Sequence, residues 1–490
     1  MNNDRELQSE EREFFTLLAE AIFINPFNDD HRALDALLPK AKVLGDNAHE
    51  HRLNAIAPVL DERIAILDRR GLNNIRSFTG SDRKIMEYAY LFQLYQVVQD
   101  SFDLLIEEQS KQVKKLVAVP FAEKLLSQMR DRGFSVKESL RYLALFYQFR
   151  RAYFFIVGSL VGNSSSMKRL RLALWNNVFT WDVRIYDRHL WGRMEDFSTL
   201  LLGETGSGKG AAAAAIGRSG FIPFDVEKRC FSENFMETFV AINLSQFPET
   251  LIESELFGHR KGAFSGAIDH YKGVFEQCSA NGALFLDEIG DITPQVQIKL
   301  LKVVQERLYT PVGSRQEKRF SGRVIAATNL SLSALRKDSS FRDDFYYRLC
   351  SDEIIVPPLR QRIAEESEEL PDMVSLLIKR ATGEVSDDLT GEVLDALKRD
   401  LPTDYSWPGN VRELEQAVRR ILLTRQYSGD PLAISDIGGD YLDKIQAGEL
   451  TAKELLNHYC QLLYKRYGSY EEVARRVELD RRTVRKHVHG

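Results

Sequence analysis

The sequence predicts a multidomain α and α/β protein: a helical N-terminal domain, a parallel α/β domain with further helices behind it, and a C-terminal helix-turn-helix. Three observations predict this. Residues 1 to 163 carry helix-length amphipathic segments, such as Lys84 to Leu116 and Val136 to Val161, with few strand-like alternations. Between 167 and 358, short apolar runs end in polar or glycine-rich turns: STLLLGETG, FVAINLS, GALFLDEIGD and GRVIAATN. Such runs, separated by helical stretches, read as a parallel sheet whose ligand site lies at the carboxyl ends of the strands. The third observation is the helix, short turn, helix pattern within residues 447 to 490.

Punctuation supports these bounds. Gly162-Asn-Ser-Ser-Ser166 marks a boundary, Pro357-Pro358 closes the α/β block, 359 to 430 reads as helical, and Ser428 to Asp440 reads as a linker. The chain has 490 residues, enough for two to four domains. Lys plus Arg number 66 and Asp plus Glu 71, so any basic surface for a polyanion must be local. Cys230, Cys278, Cys350 and Cys460 lie far apart without CxxC spacing, which argues against a zinc site or disulfide framework. The N-terminus has early acids and no long apolar run, so no signal peptide is expected. The most apolar stretch, Ala152 to Gly162, is shorter than the roughly 20 residues a bilayer span needs. These features predict a cytoplasmic protein with no membrane partner.

The run Thr199 to Leu202 leads into Gly203-Glu204-Thr205-Gly206-Ser207-Gly208-Lys209 and then the Ala-rich helix former Ala211 to Ala215. Glycines let backbone N–H groups converge on phosphate oxygens, the helix N-terminus adds its dipole, and Lys209 reaches the β and γ phosphates. Gly210 stands where such loops usually carry the hydroxyl that ligates magnesium, so another group or water must fill that position. Ala283 to Leu286 ends in Asp287-Glu288: one carboxylate holds Mg²⁺, and its neighbour orients or deprotonates the attacking water. Val324 to Ala327 ends in Thr328-Asn329, whose polar tip is placed for the γ phosphate or the water. In Trp407-Pro-Gly-Asn-Val-Arg-Glu-Leu414, Asn410 is a helix cap, and Arg412 sits in the first helical turn. The dipole disfavours a cation there, so an external anion is expected to hold it.

ESELFGHRKGAFSGA, from Glu253 to Ala267, opens like a helix and breaks into Gly262, Ala263, Phe264, Ser265, Gly266 and Ala267. No periodic pattern buries Phe264. Together these residues resemble the sigma-54-dependent transcriptional activators, the bacterial enhancer-binding proteins of the AAA+ ATPase group, over about 167 to 490. GAFSGA is similar to that family's GAFTGA loop, which touches the sigma-54 holoenzyme, so the resemblance makes residues 262 to 267 a partner-binding loop. The resemblance further implies an AAA+ domain over 167–358 with a lid over 359–430, using ATP and Mg²⁺. It implies that Asn243 restrains the catalytic Glu288, that Arg342 and Arg348 reach the ATP of the next subunit in a ring, normally a hexamer, and that Arg412 is the lid's sensor arginine. Ser265 replaces the family's threonine and loses a methyl. The segment Arg218 to Thr238, with four phenylalanines, is longer than usual and reads either as extra packing or as a subunit contact.

SYEEVARRVELDRRTVRKHVHG has Val477, Leu479, Val484 and Val488 as a core stripe, and Thr451 to Gly490 holds nine Lys or Arg against five Asp or Glu. Arg481, Arg482, Thr483, Arg485 and Lys486 form the candidate surface for double-stranded DNA. The module resembles the Fis-type helix-turn-helix of the same activators, with Glu478 where glycine is usual. The N-terminal domain shows no receiver-type acids, metal cluster or cofactor box, and the aromatic-rich Tyr142 to Phe155 reads as helix core. The function expected is an ATP-hydrolysing activator that remodels sigma-54 RNA polymerase holoenzyme while bound to upstream DNA. The alternative is a nucleotide-switched DNA-binding regulator that never engages sigma-54.

Overall fold

The computed structural model describes residues 6–30, 32–38, 48–331, 341–430, 448 and 450–489. The expected linker beyond Asp430 lies outside them, as do Ala447 and Gly490. Five parallel strands form the central sheet: β1 (Thr199–Leu202), β2 (Phe239–Asn243), β3 (Ala283–Asp287), β4 (Arg323–Thr328) and β5 (Asp352–Ile355), in the order β2-β3-β4-β1-β5. Four are the apolar runs read from the sequence. The edge strand β5 was not, because DEII has too few apolar residues to signal a strand. Register aligns the carboxyl ends: Asn243 lies beside Asp287, and Leu202 beside both Thr328 and Ile355. All the polar strand tips therefore meet along one edge.

Long helices dominate the N-terminal third, including Gly80–Lys111 and Val136–Ser159. Ser135 opens the second with a capping box closed by Glu138. The sequence places a boundary at Gly162–Ser166, yet the structure carries the core across it. Phe102, Tyr147 and Phe155 share one apolar cluster with Leu174, Leu201, Ala212 and Phe285 of the α/β layer. Residues 1–394 and 409–419 accordingly form one compact unit.

The aromatic segment after the phosphate-loop helix is part of this packing. Phe224–Asp225 and Cys230–Phe231 make a short hairpin. Phe231 stacks on Tyr147 with ring centroids 3.7 Å apart, and Phe235 meets Phe155 edge-on at 5.2 Å. Asn234 donates to the carbonyls of Gln109, Gln112 and Lys115, satisfying the end of the long Gly80–Lys111 helix. Buried Arg151 donates to the carbonyls of Arg218 and Gly220, 2.6 Å each. Of the two readings of 218–238, the structure gives the packing role.

Glu369 and Arg362 are both almost fully buried and paired. Glu369 also accepts the backbone N–H groups of Asn163 and Ser164, while Arg362 donates to the Val161 carbonyl. This clamp joins the 160–166 segment to the helices that follow β5. Removing one partner of a buried pair strands the other charge, so Glu369→Ala is expected to destabilise this unit by about 3–5 kcal/mol. Chemical denaturation followed by tryptophan fluorescence reads that loss directly.

The second compact unit comprises 395–408 and 420–490. Its described C-terminal part is three helices, Ala452–Tyr467, Tyr470–Val477 and Arg481–His489. They enclose Cys460, Leu463, Val473 and Val484, with Val477, Leu479 and Val488 packed against them. Glu478 takes the left-handed conformation, φ 56°, that explains why glycine is usual at this turn.

Candidate functional site: a nucleotide cavity and an exposed loop

The phosphate loop connects β1 to the helix Lys209–Gly217, and a cavity of about 310 Å³ opens over it. Thr205 through Gly210, Asn243, Asp287, Glu288 and Arg412 line its polar end. Beside Arg362 and Arg380, its apolar lining includes Leu160, Val161, Met167, Leu170, Met373 and Leu376. Sequence reading missed these six, because nothing local marks residues so distant from the loop as one wall.

The loop's geometry fits a phosphate chain. The Ser207 hydroxyl is buried and has no partner among the described residues. Gly208 has φ 113° with open space where a Cβ would stand. Gly206 has φ 78°, and a Cβ there would lie 2.2 Å from the Gly409 carbonyl oxygen. Gly206→Ala therefore combines a disfavoured backbone with a backbone clash. It is expected to abolish nucleotide binding, as measured by fluorescent ATP analogue titration, because the loop and the start of the Arg412 helix must separate to accommodate the methyl.

Lys209 is buried, and its Nζ donates to the carbonyls of Gly203, at 2.8 Å, and Glu204, at 3.2 Å. Burial lowers its pKa from the ordinary lysine value, opposed by the charges of Glu288 and Asp287. Arg412 is exposed on the same cavity, and its positive charge also acts on Lys209. Lys209 and Arg412, with Arg362 and Arg380 also in the lining, bring cations to the phosphate loop's backbone N–H groups, and together these suit an anion. Glu204 forms an ion pair with Arg360, which holds its carboxyl below the ordinary range.

Glu288 follows β3 in the left-handed conformation, φ 55°, which is uncommon for a residue with a side chain and recurs at functional sites. Burial raises its pKa above the ordinary carboxylate value, with a smaller push from Asp287 and an opposing pull from Lys209. The Asn329 backbone N–H donates to the Glu288 carboxylate at 3.3 Å, and its side-chain amide donates to the Thr205 hydroxyl, also at 3.3 Å. Asn329 thus links the β4 tip to both the acid and the phosphate loop.

Three site residues are engaged otherwise than the sequence suggests. The Asn243 side-chain oxygen Oδ1 accepts from the N–H and hydroxyl of Ser245, at 3.0 and 2.7 Å, and among the described residues it makes no bond to Glu288. It caps a short turn instead. Asn410 is not a simple cap of its own helix: it has φ 53°, accepts the Leu359 N–H, and donates to Glu204 and the Thr205 carbonyl. It ties the phosphate loop to the helices after β5. Thr483 is held by Asp480, which accepts its N–H and hydroxyl and so caps the last helix. Arg482, Arg485 and Lys486 are exposed, and Arg481, also exposed, pairs with Glu471 at 2.7 Å.

Arg342 and Arg348 lie at the helix Asp343–Leu349 and do not line the cavity of their own chain. Both are exposed, and Arg342 pairs with Asp344.

The loop after helix Glu249–Phe257 is pinched at its base, where His259 and Tyr271 exchange backbone hydrogen bonds of 3.1 and 3.0 Å. Gly258 and Gly273 make this possible, since a Cβ on Gly273 would lie 2.3 Å from the Gly258 nitrogen. At the tip, Gly262 and Gly266 have φ of 79° and 107°, and the Gly262 N–H donates to the Ala267 carbonyl at 2.8 Å. Phe264 stays 39% exposed, resting edge-on against His259. A second loop, Pro311–Gln316, supports the first: Arg260 and Val312 are bonded through their backbones at 3.0 Å, and Gly313 abuts Ala263. No local sequence pattern marks this support.

Residues 189–355 match the family described as the Sigma-54 interaction domain, and residues 364–454 match the AAA+ ATPase lid domain. The chain carries a sigma-54 interaction domain of the AAA+ ATPases. The Nif-specific regulatory protein of Azotobacter vinelandii is 39% identical over 265 residues, covering 53% of this chain and 43% of that protein. The DNA-binding transcriptional regulator NtrC of Azospirillum brasilense is 40% identical over 256 residues, covering 52% and 48%. The transcriptional regulatory protein ZraR of Escherichia coli K12 is 38% identical over 294 residues, covering 59% and 62%. The chain spans about half the length of the first two relatives. The sigma-54 interaction domain contains β1 to β5, the phosphate loop, Asp287-Glu288 and the Phe264 loop in one matched stretch. No described helix is long and apolar enough to cross a membrane.

Proposed function

We propose that this protein is an ATP-hydrolysing transcriptional activator that remodels sigma-54 RNA polymerase holoenzyme while its C-terminal module holds upstream DNA. The observation that carries the reading is the pairing, within one sigma-54 interaction domain, of the phosphate loop and Asp287-Glu288 side of the nucleotide cavity with a loop that exposes Phe264. Lys209 and Arg412 bind the phosphates, and the apolar wall from Leu160 to Leu170 takes the base. Glu288 orients and deprotonates the attacking water, its raised pKa suiting a base.

Asp287, on the cavity beside the phosphate loop, would hold the Mg²⁺ of the nucleotide, which would supply neutralisation of phosphate charge. Gly210 offers no hydroxyl to such an ion. Arg342 and Arg348, which do not line their own cavity, serve the neighbouring subunit, which requires a ring, in this reading a hexamer. Arg481, Arg482, Arg485 and Lys486 contact DNA, with Asp480 fixing the start of their helix by accepting from Thr483.

Promoter opening tests the proposal. The purified chain, sigma-54 holoenzyme and ATP are expected to yield permanganate-reactive open promoter DNA, which Lys209→Ala abolishes. Opening that proceeds equally without ATP, or with the primary sigma factor, would overturn it.

A further inference from the structure

An acid in a loop that binds phosphates is an anomaly, since its charge repels the ligand if it faces it. Glu204 is such an acid, yet the cavity is lined from Thr205 to Gly210 and not by Glu204. Its carboxylate meets two helices beyond β5 instead, Leu359–Glu365 and Asn410–Thr424. Arg360 forks onto both of its oxygens, and the Asn410 amide donates to Oε2 at 3.1 Å. Both members of the Glu204–Arg360 pair are half-exposed, so the pair adds little stability by itself. Its effect is to fix where the Glu204 oxygens point.

Asn410 starts the helix that carries Arg412, and it does so under strain: it is fully buried with φ 53°. A left-handed residue with a side chain persists only where its surroundings over-determine it. Here the Asn410 amide donates to Glu204 and to the Thr205 carbonyl, its side-chain oxygen accepts the Leu359 N–H at 2.7 Å, and the next N–H, of Val411, donates to the Gly206 carbonyl at 3.1 Å. Of the two acceptors that the phosphate loop offers the Asn410 amide, Glu204 is the charged one, and bonds to charged acceptors are the stronger class. Arg412 follows two residues later, in the same first turn, and lines the cavity. We propose that Glu204 is a positioning residue that, by holding Asn410, sets Arg412 against the phosphates and so gives the site its preference for ATP over ADP, an inference that rests on the phosphate-binding role proposed for Arg412. The backbone of the phosphate loop meets either nucleotide. Arg412, brought in from a separate helix, answers the charge that only ATP adds.

Competition of ADP and a non-hydrolysable ATP analogue against a fluorescent nucleotide, on the full chain with Mg²⁺, reads that preference as a ratio of affinities. Glu204→Ala is expected to lower the ratio about tenfold, the worth of one hydrogen bond to a charged group. Glu204→Gln, which keeps an acceptor for the Asn410 amide, should retain most of it. Arg412→Ala should also lower the ratio, and adding Glu204→Ala to it should change the ratio no further. A carboxylate that only stabilised the loop would weaken both nucleotides equally. Should Glu204→Ala not fold, Asn410→Asp takes its place: it keeps the acceptor for the Leu359 N–H, turns the donor facing Glu204 into a carboxylate oxygen, and should lower the ratio similarly. Equal weakening of both nucleotides, a fall as large in Glu204→Gln as in Glu204→Ala, or a further fall on the Arg412→Ala background would overturn the proposal. A ratio unchanged in Arg412→Ala would overturn the phosphate role of Arg412 together with it, whereas a ratio lowered by Arg412→Ala but kept by Glu204→Ala would overturn this inference alone.

Discussion

Glu288→Gln is expected to bind ATP as tightly as the unsubstituted protein and to hydrolyse it at least about 10²-fold more slowly, the contribution typical of a positioned general base. The geometry separates the two effects. Glu288 lines the cavity's polar end, but the anion site is built from Lys209, Arg412 and the loop backbone, which the substitution leaves intact. An amide also preserves the acceptor for the Asn329 N–H. The pH profile supplies a second reading. A base acts only when deprotonated, and burial raises the Glu288 pKa, so hydrolysis should fall on acidification at a pH above the ordinary carboxylate range. The residual hydrolysis of Glu288→Gln should lack that limb. Steady-state phosphate release across pH, with nucleotide affinity measured separately, checks both. Equal loss of affinity and rate would mean that Glu288 holds the nucleotide rather than the water.

Phe264→Ala is expected to leave hydrolysis nearly unchanged and to abolish transcription from a sigma-54 promoter. Phe264 contributes little to the fold: it is 39% exposed and touches the edge of His259 in a loop whose shape is set by Gly262, Gly266 and the His259–Tyr271 pair. Its removal therefore leaves the loop and the cavity standing. What it removes is an exposed aromatic ring, the kind of side chain that anchors a partner contact. Paired assays of phosphate release and transcript yield decide the matter, and retained transcription would sink the coupling role of this loop.

The chemistry-bearing segments were legible because each needs a local pattern that little else produces. Gly203 to Lys209 needs glycines between a strand and a helix, Asp287-Glu288 needs an apolar strand before it, and Phe264 stands out because no periodicity accounts for it. Assemblies contributed by distant residues were not legible. The apolar wall over the nucleotide cavity joins Leu160 and Val161 to Met373 and Leu376, and only the fold brings them together. β5 escaped notice because a short edge strand with two acids carries little of the apolar signal that marked the other four. The boundary at Gly162 looked real because glycine and serine break helices there. The same backbone groups are needed to bind Glu369, and that contact knits the two sides together. Asn243 was read through its resemblance, yet in this state its side chain is taken by Ser245.

The central claim is that the nucleotide cavity and the Phe264 loop act as one device on sigma-54. Binding of purified sigma-54 to the full chain, measured with and without an ATP transition-state analogue and repeated with Phe264→Ala, tests it most directly. A stable complex is expected only when both the analogue and Phe264 are present. A complex that forms equally without the analogue, or with Phe264→Ala, would contradict it.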